Sequence, residues 1–134
     1  MAEPRIVDPA REWGRFDDGV ERAMLESLST DLGVALRPRT LVFDDGTRVE
    51  LEGADTAGIV LVQLLPNRGA YRPAFRNKVL ADLFKLAWLR TELPQARRAI
   101  LLATPTVLPG LGGWVPRAAA SCGVEIRLVD PDAP

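Results

Sequence analysis

The sequence predicts a mixed α/β domain, an α-β-β-β-α-β core with an extra short helix before a final strand. Three observations carry this expectation. Asp44-Asp45-Gly46-Thr47 joins two β-forming runs with a hairpin turn signal. Ile59-Val60-Leu61-Val62-Gln63-Leu64-Leu65 is apolar at both alternating sets of positions, as in a strand covered on both faces. The segments on either side of this β region repeat their apolar residues at helical spacing.

In chain order, a first helix is predicted over residues 17–31, where Val20, Met24, Leu25, Leu28 and Leu32 share one stripe and Gly33 supplies the stop. Residues 40–43 form a first strand. Residues 47–52 form a second, with Val49 and Leu51 on one face and Arg48, Glu50 and Glu52 on the other. A turn over residues 53–58 leads into the apolar third strand. Pro66-Asn67-Arg68-Gly69 breaks the sheet, Pro73 suits the first turn of a helix, and that helix runs over residues 73–91 until Pro94 stops it. Residues 98–103 read as a buried strand, residues 114–121 as a short helix ended by Gly123, and residues 124–129 as the last strand. A single domain spans residues 1–134, with its core over about 17–130 and loose termini.

Composition excludes several chemistries. The chain of 134 residues has no histidine, one cysteine and a net charge of −1. Histidine-based triads, histidine-ligated metals and an internal disulfide are therefore excluded, and no global attraction to nucleic acid is expected. No dinucleotide or phosphate-loop glycine fingerprint is present. No apolar run reaches membrane-span length, residues 1–8 lack a secretory signal, and a lone thiol suits a reducing compartment, so a cytoplasmic protein is expected. What remains is chemistry by carboxylates, arginine and lysine, with a hard cation if any metal.

Lysine is the informative residue, because fifteen of the seventeen basic side chains are arginine. The two lysines, Lys78 and Lys85, flank Asp82 on the same predicted helix. Lysine is a compact charge with a tunable pKa, which arginine is not. Two readings are open: a solvated stripe of an amphipathic helix, or part of a chemical site. Gln63 interrupts the most apolar strand and needs hydrogen-bond partners there. Antiparallel pairing across residues 53–58 would bring Glu50 and Glu52 onto the face of Gln63, within reach of the Lys78-Asp82-Lys85 stripe. Glu21 on the first helix is either a boundary residue or a fourth polar group of the same pocket. Carboxylates converging with a lysine are the equipment of a magnesium-dependent phosphodiester hydrolase.

On these residues the chain resembles small bacterial proteins of the PD-(D/E)XK nuclease-like, or restriction-endonuclease-like, superfamily. Val49-Glu50-Leu51-Glu52-Gly53 resembles its second core strand and Val60-Leu61-Val62-Gln63 its third. Gly69, then Lys78-Val79-Leu80-Ala81-Asp82 and Lys85-Leu86, resembles the helix signature, and Gly123-Val124-Glu125-Ile126-Arg127-Leu128-Val129-Asp130 the last strand. The resemblance implies a site at Glu52, Gln63 and Lys78. Glu52 stands at the metal-binding aspartate, Gln63 at the acidic position of the motif and Leu65 at its lysine. Lys78 would stand in for that lysine, and Glu50 or Glu21 for the lost carboxylate.

Two functions follow as expectations. The first is a catalytically degenerate nuclease-like domain that acts as a binding or interaction module, alone or as an accessory subunit. Its protein partner or second copy would dock through the 73–91 helix, where Phe84, Trp88 and Leu89 add apolar surface to a core face made by Val79, Leu83 and Leu86. The second is an active DNA endonuclease that uses Mg or Mn at Glu52 and Glu50, a migrated Lys78, and phosphate contacts from Arg68, Arg72, Arg76, Lys85 and Arg90.

Overall fold

A computed structural model describes residues 4–7 and 19–132. Six strands form one sheet in sequential order: β1 (Arg5–Val7), β2 (Arg37–Val42), β3 (Arg48–Ala54), β4 (Val60–Leu65), β5 (Arg98–Ala103) and β6 (Val124–Leu128). β1 to β4 are antiparallel neighbours, and β4, β5 and β6 run parallel. Helix α1 (Val20–Leu32) packs Met24, Leu25 and Leu28 against Val62, Leu64 and Ile100. On the opposite face α2 (Phe75–Glu92) and α3 (Val115–Ser121) cover Leu61, Leu65 and Leu101. Alternate residues of β4 thus enter different cores, and all six are buried, as its apolar sequence demands. Among the described residues no helix is long and apolar enough to cross a membrane.

The predicted order of helix, meander, helix, strand, helix and strand is present. Two elements are added. The N-terminal segment, expected to be loose, contributes β1, which extends the meander by pairing Ile6 with Leu41. A 3-10 helix over Pro105–Leu111 fills the connection after β5. The start of the first predicted helix, residues 17 and 18, lies outside the described residues. Pro73 sits before α2 rather than inside its first turn: its carbonyl accepts from the Arg76 N–H in a lead-in turn. Gly33 ends α1 as its sequence predicts, in the left-handed conformation, while the Val34 N–H returns to the Ser29 carbonyl.

The register of β3 decides the interior. Leu51 pairs with Arg39 whereas Ala54 pairs with Arg37, so β3 carries one extra residue between those pairs. This bulge breaks the alternation. Leu51 and Ala54 both belong to the α2 core, while Gly53 faces α1. A Cβ on Gly53 would lie 2.5 Å from a Leu25 methyl and 3.2 Å from the Val62 Cβ, so its missing side chain lets α1 seat on the sheet. Gly53→Ala should therefore cost about 1–3 kcal/mol by overpacking. Leu25→Ala alone should cost about 2–5 kcal/mol. In denaturant unfolding the double variant should lose less than the two losses combined, because removing Leu25 vacates the space the new methyl needs.

Candidate functional site

Past Gly53 and Val62 the backbone ladder between β3 and β4 ends, and side chains take over. The Glu52 N–H donates to Gln63 Oε1 at 3.1 Å, and the Leu64 N–H donates to Glu52 Oε1 at 3.1 Å. Each side chain supplies an acceptor that the opposite strand no longer provides. This satisfies buried N–H groups that would otherwise cost about 1–3 kcal/mol each. The bulge turns Glu52 out of the β3 alternation and into this gap, which simple parity does not anticipate.

Helix α2 closes the site from above. Its buried positions are Val79, Asp82, Leu83, Leu86 and Leu89, so Asp82 lies inside the apolar stripe and is only 4 % exposed. Gln63, 2 % exposed, donates through Nε2 to Asp82 Oδ1 at 3.2 Å. Lys78, one turn earlier, donates to both Asp82 oxygens at 3.0 and 2.9 Å and approaches Glu52 Oε1 to 4.0 Å. Asp82 thus accepts from an amide and an ammonium, and Lys78 sits between two carboxylates at the mouth of the site. The stripe is therefore not a solvated one: its central residue is part of the interior.

Lys85 lies on the flank. Its Nζ donates to the Glu50 main-chain carbonyl. Burial holds its pKa below the ordinary lysine value. Asp82 and Glu52 partly oppose that effect, Lys78 adds to it, and Glu50 opposes it weakly.

Glu52, Gln63 and Lys78 come together as their sequence positions imply. Glu50 and Glu21 do not join them. Glu50 is exposed and contributes its backbone carbonyl rather than its carboxylate, since it alternates with Val49 and Leu51, which pack on the α2 side. Glu21 belongs to α1, across the sheet from Gln63. Among the described residues no group of three or more acidic or cysteine side chains is placed to hold a metal ion. Mg or Mn does not fit what is present, because Asp82 is occupied by an ammonium and an amide, and Glu52 by a backbone donor and the same ammonium.

The five expected phosphate contacts are also scattered. Arg68 pairs with Asp132 at 2.9 Å. Arg76 donates to the Gly110 and Gly112 carbonyls at 3.4 and 3.5 Å and lies over the Trp114 ring, 5.9 Å from its centroid. Arg90 donates to the Arg97 carbonyl at 2.7 Å, and Lys85 is turned to Glu50. Of the five, only Arg72 makes no side-chain hydrogen bond or ion pair among the described residues; its carbonyl accepts from the Phe75 N–H at 2.9 Å. No protein-family model matches the chain, and no curated protein matches it significantly.

Asp82, for which the stripe reading specifies no role of its own, is a full member of the site. The signal was available: Asp82 lies three residues after Val79 and four before Leu86, so it shares their inward stripe.

Two outcomes are expected. Gln63→Leu leaves the buried Glu52 N–H without its acceptor and should cost about 1–3 kcal/mol in denaturant unfolding. Because the folded pKa of Lys85 is depressed, the unfolded chain holds a proton that the folded chain lacks over the window ending near 10.5, and stability from this group rises with pH there. Wild type should therefore gain stability relative to Lys85→Met as the pH is raised toward 10.5, read from parallel urea titrations.

Proposed function

We propose that this chain is a catalytically degenerate PD-(D/E)XK nuclease-like domain that serves as a binding or interaction module. One observation carries the reading. The Lys78 ammonium lies 2.9 Å from Asp82 and 4.0 Å from Glu52, so the space between the two buried carboxylates already holds a cation. Gln63, at the position the superfamily resemblance gives to an acidic residue, contributes a neutral amide that ties Glu52 to Asp82. Two carboxylates, one ammonium and one amide, mutually bonded, support a structural lock more than a metal-dependent hydrolase.

A second reading, an active Mg- or Mn-dependent DNA endonuclease, has in its favour that Glu52 and Lys78 do converge. One assay separates the two. Under the module reading, supercoiled and single-stranded DNA survive incubation with magnesium or manganese, and any trace cleavage is the same in wild type, Glu52→Ala and Lys78→Ala. Cleavage abolished by both substitutions would establish the nuclease.

Gln63→Glu tests the ancestry of the site. It keeps an oxygen for the Glu52 N–H but replaces the donor facing Asp82 with a like charge. The variant should melt below wild type without metal. It should then regain stability with manganese, whereas wild type should not, because a third carboxylate completes a set of hard oxygen ligands.

A further inference from the structure

The outer side of α2 carries a feature that the polar lock does not use. Phe84 is 77 % exposed and Trp114 61 % exposed, and they stand on opposite walls of a cleft between α2 and α3. The cleft has a volume of about 290 Å³ and is bounded by Leu80, Leu83 and Phe84 on one side and Trp114, Ala118 and Cys122 on the other. A second, more open hollow shares Phe84, Ala87 and Cys122 with the first and continues it past Trp88 to Thr91. From Leu80 to Thr91 the groove follows α2 for about 16 Å, or three helical turns. This shape suits an elongated segment rather than a compact small molecule.

Charge selects the occupant. Arg76 lies over Trp114 at one end, and Arg90 lines the other end. Among the described residues no acidic side chain lines either hollow. The nearby Glu92 is engaged by the Trp88 indole N–H at 3.3 Å. A second copy of the chain docked face to face would set these arginines against each other, whereas carboxylates would complement them.

We propose that the α2/α3 groove binds an amphipathic helix of a partner protein, with an apolar stripe at i, i+3/i+4 and i+7 spacing and acidic residues toward both ends. Phe84 and Trp114 are its aromatic anchors, and Arg76 and Arg90 set its charge preference. This rests on the interaction-module reading and names the partner's chemistry. It keeps the expected helix as the docking surface but changes its residues. Leu89 is fully buried in the core, so the exposed face is built from Phe84 and α3, with Trp88, stacked on Phe43 at 5.5 Å between ring centroids, lining the far hollow.

Cys122 gives a direct readout, because the only thiol of the chain is exposed and lines the groove. Two synthetic helical peptides with the same leucine and phenylalanine stripe, one flanked by glutamate and the other by lysine, are titrated against the full chain. Affinity is followed by anisotropy and groove occupancy by the rate of Cys122 alkylation. The acidic peptide should bind about tenfold or more tighter than the basic one and slow alkylation. Phe84→Glu, at a position that the core does not use, should weaken binding about tenfold or more. Arg90→Gln, which keeps a donor for the Arg97 carbonyl, should narrow the preference.

Equal or stronger binding of the lysine peptide, or no protection of Cys122 by either, overturns the proposal. So does concentration-dependent dimerisation by sedimentation that Phe84→Glu abolishes, which would make a second copy the occupant. Failure here leaves the degenerate-module reading intact. DNA cleavage lost with Glu52→Ala and Lys78→Ala overturns that reading without altering the peptide result.

Discussion

Two adjacent strands part company inside a core, and the structure turns on how the exposed backbone is satisfied there. Where β3 leaves β4, the N–H groups of Glu52 and Leu64 lie in a buried gap beyond the last backbone pair. The Gln63 amide and the Glu52 carboxylate fill it reciprocally. A carboxylate in such a place needs further partners, and α2 supplies them through Asp82 by way of Gln63 and through Lys78 by charge. The bulge in β3, the polar notch in the apolar stripe of α2 and the placement of both lysines all follow from this junction. Gly53 serves the same junction from the other side, since its missing Cβ admits Leu25 of α1.

Helix α2 therefore faces two environments. Its inner stripe is continuous with the core except at Asp82, and the exception is bonded from both sides. Its outer stripe ends in Phe84, which the fold leaves uncovered. The polar network ties α2 to β3 and β4 through Asp82 and Lys78. A lysine suits the lock better than an arginine would. A compact ammonium can bond both oxygens of Asp82 and still stand near Glu52, whereas the planar guanidinium fork fits a single carboxylate.

The larger elements were legible because their signals are local. The β4 run, apolar on both faces except at Gln63, the alternation of Val49 and Leu51, and the αL glycine after α1 read directly from the chain. Elements without a local period escaped. β1 has three residues and is a strand only because β2 offers it an edge. The 3-10 helix contains Pro105 and Pro109 and runs into Gly110, a stretch that reads as a breaker. It is held by distant contacts, among them Thr106 to the Gly69 carbonyl and Arg76 to the Gly110 carbonyl.

The chain's own pattern set the order of helices and strands, the burial of β4 and the absence of histidine chemistry, because periodicity and composition are carried residue by residue. Packing brought Glu52 beside Gln63 and Lys78, set Glu50 and Glu21 apart, placed Asp82 in the interior and left Phe84 and Trp114 framing an open groove. One extra residue in β3 reverses which side chains share a face, and a helix stripe becomes core or surface only when its angle on the sheet is set. Both are properties of packed elements, not of segments.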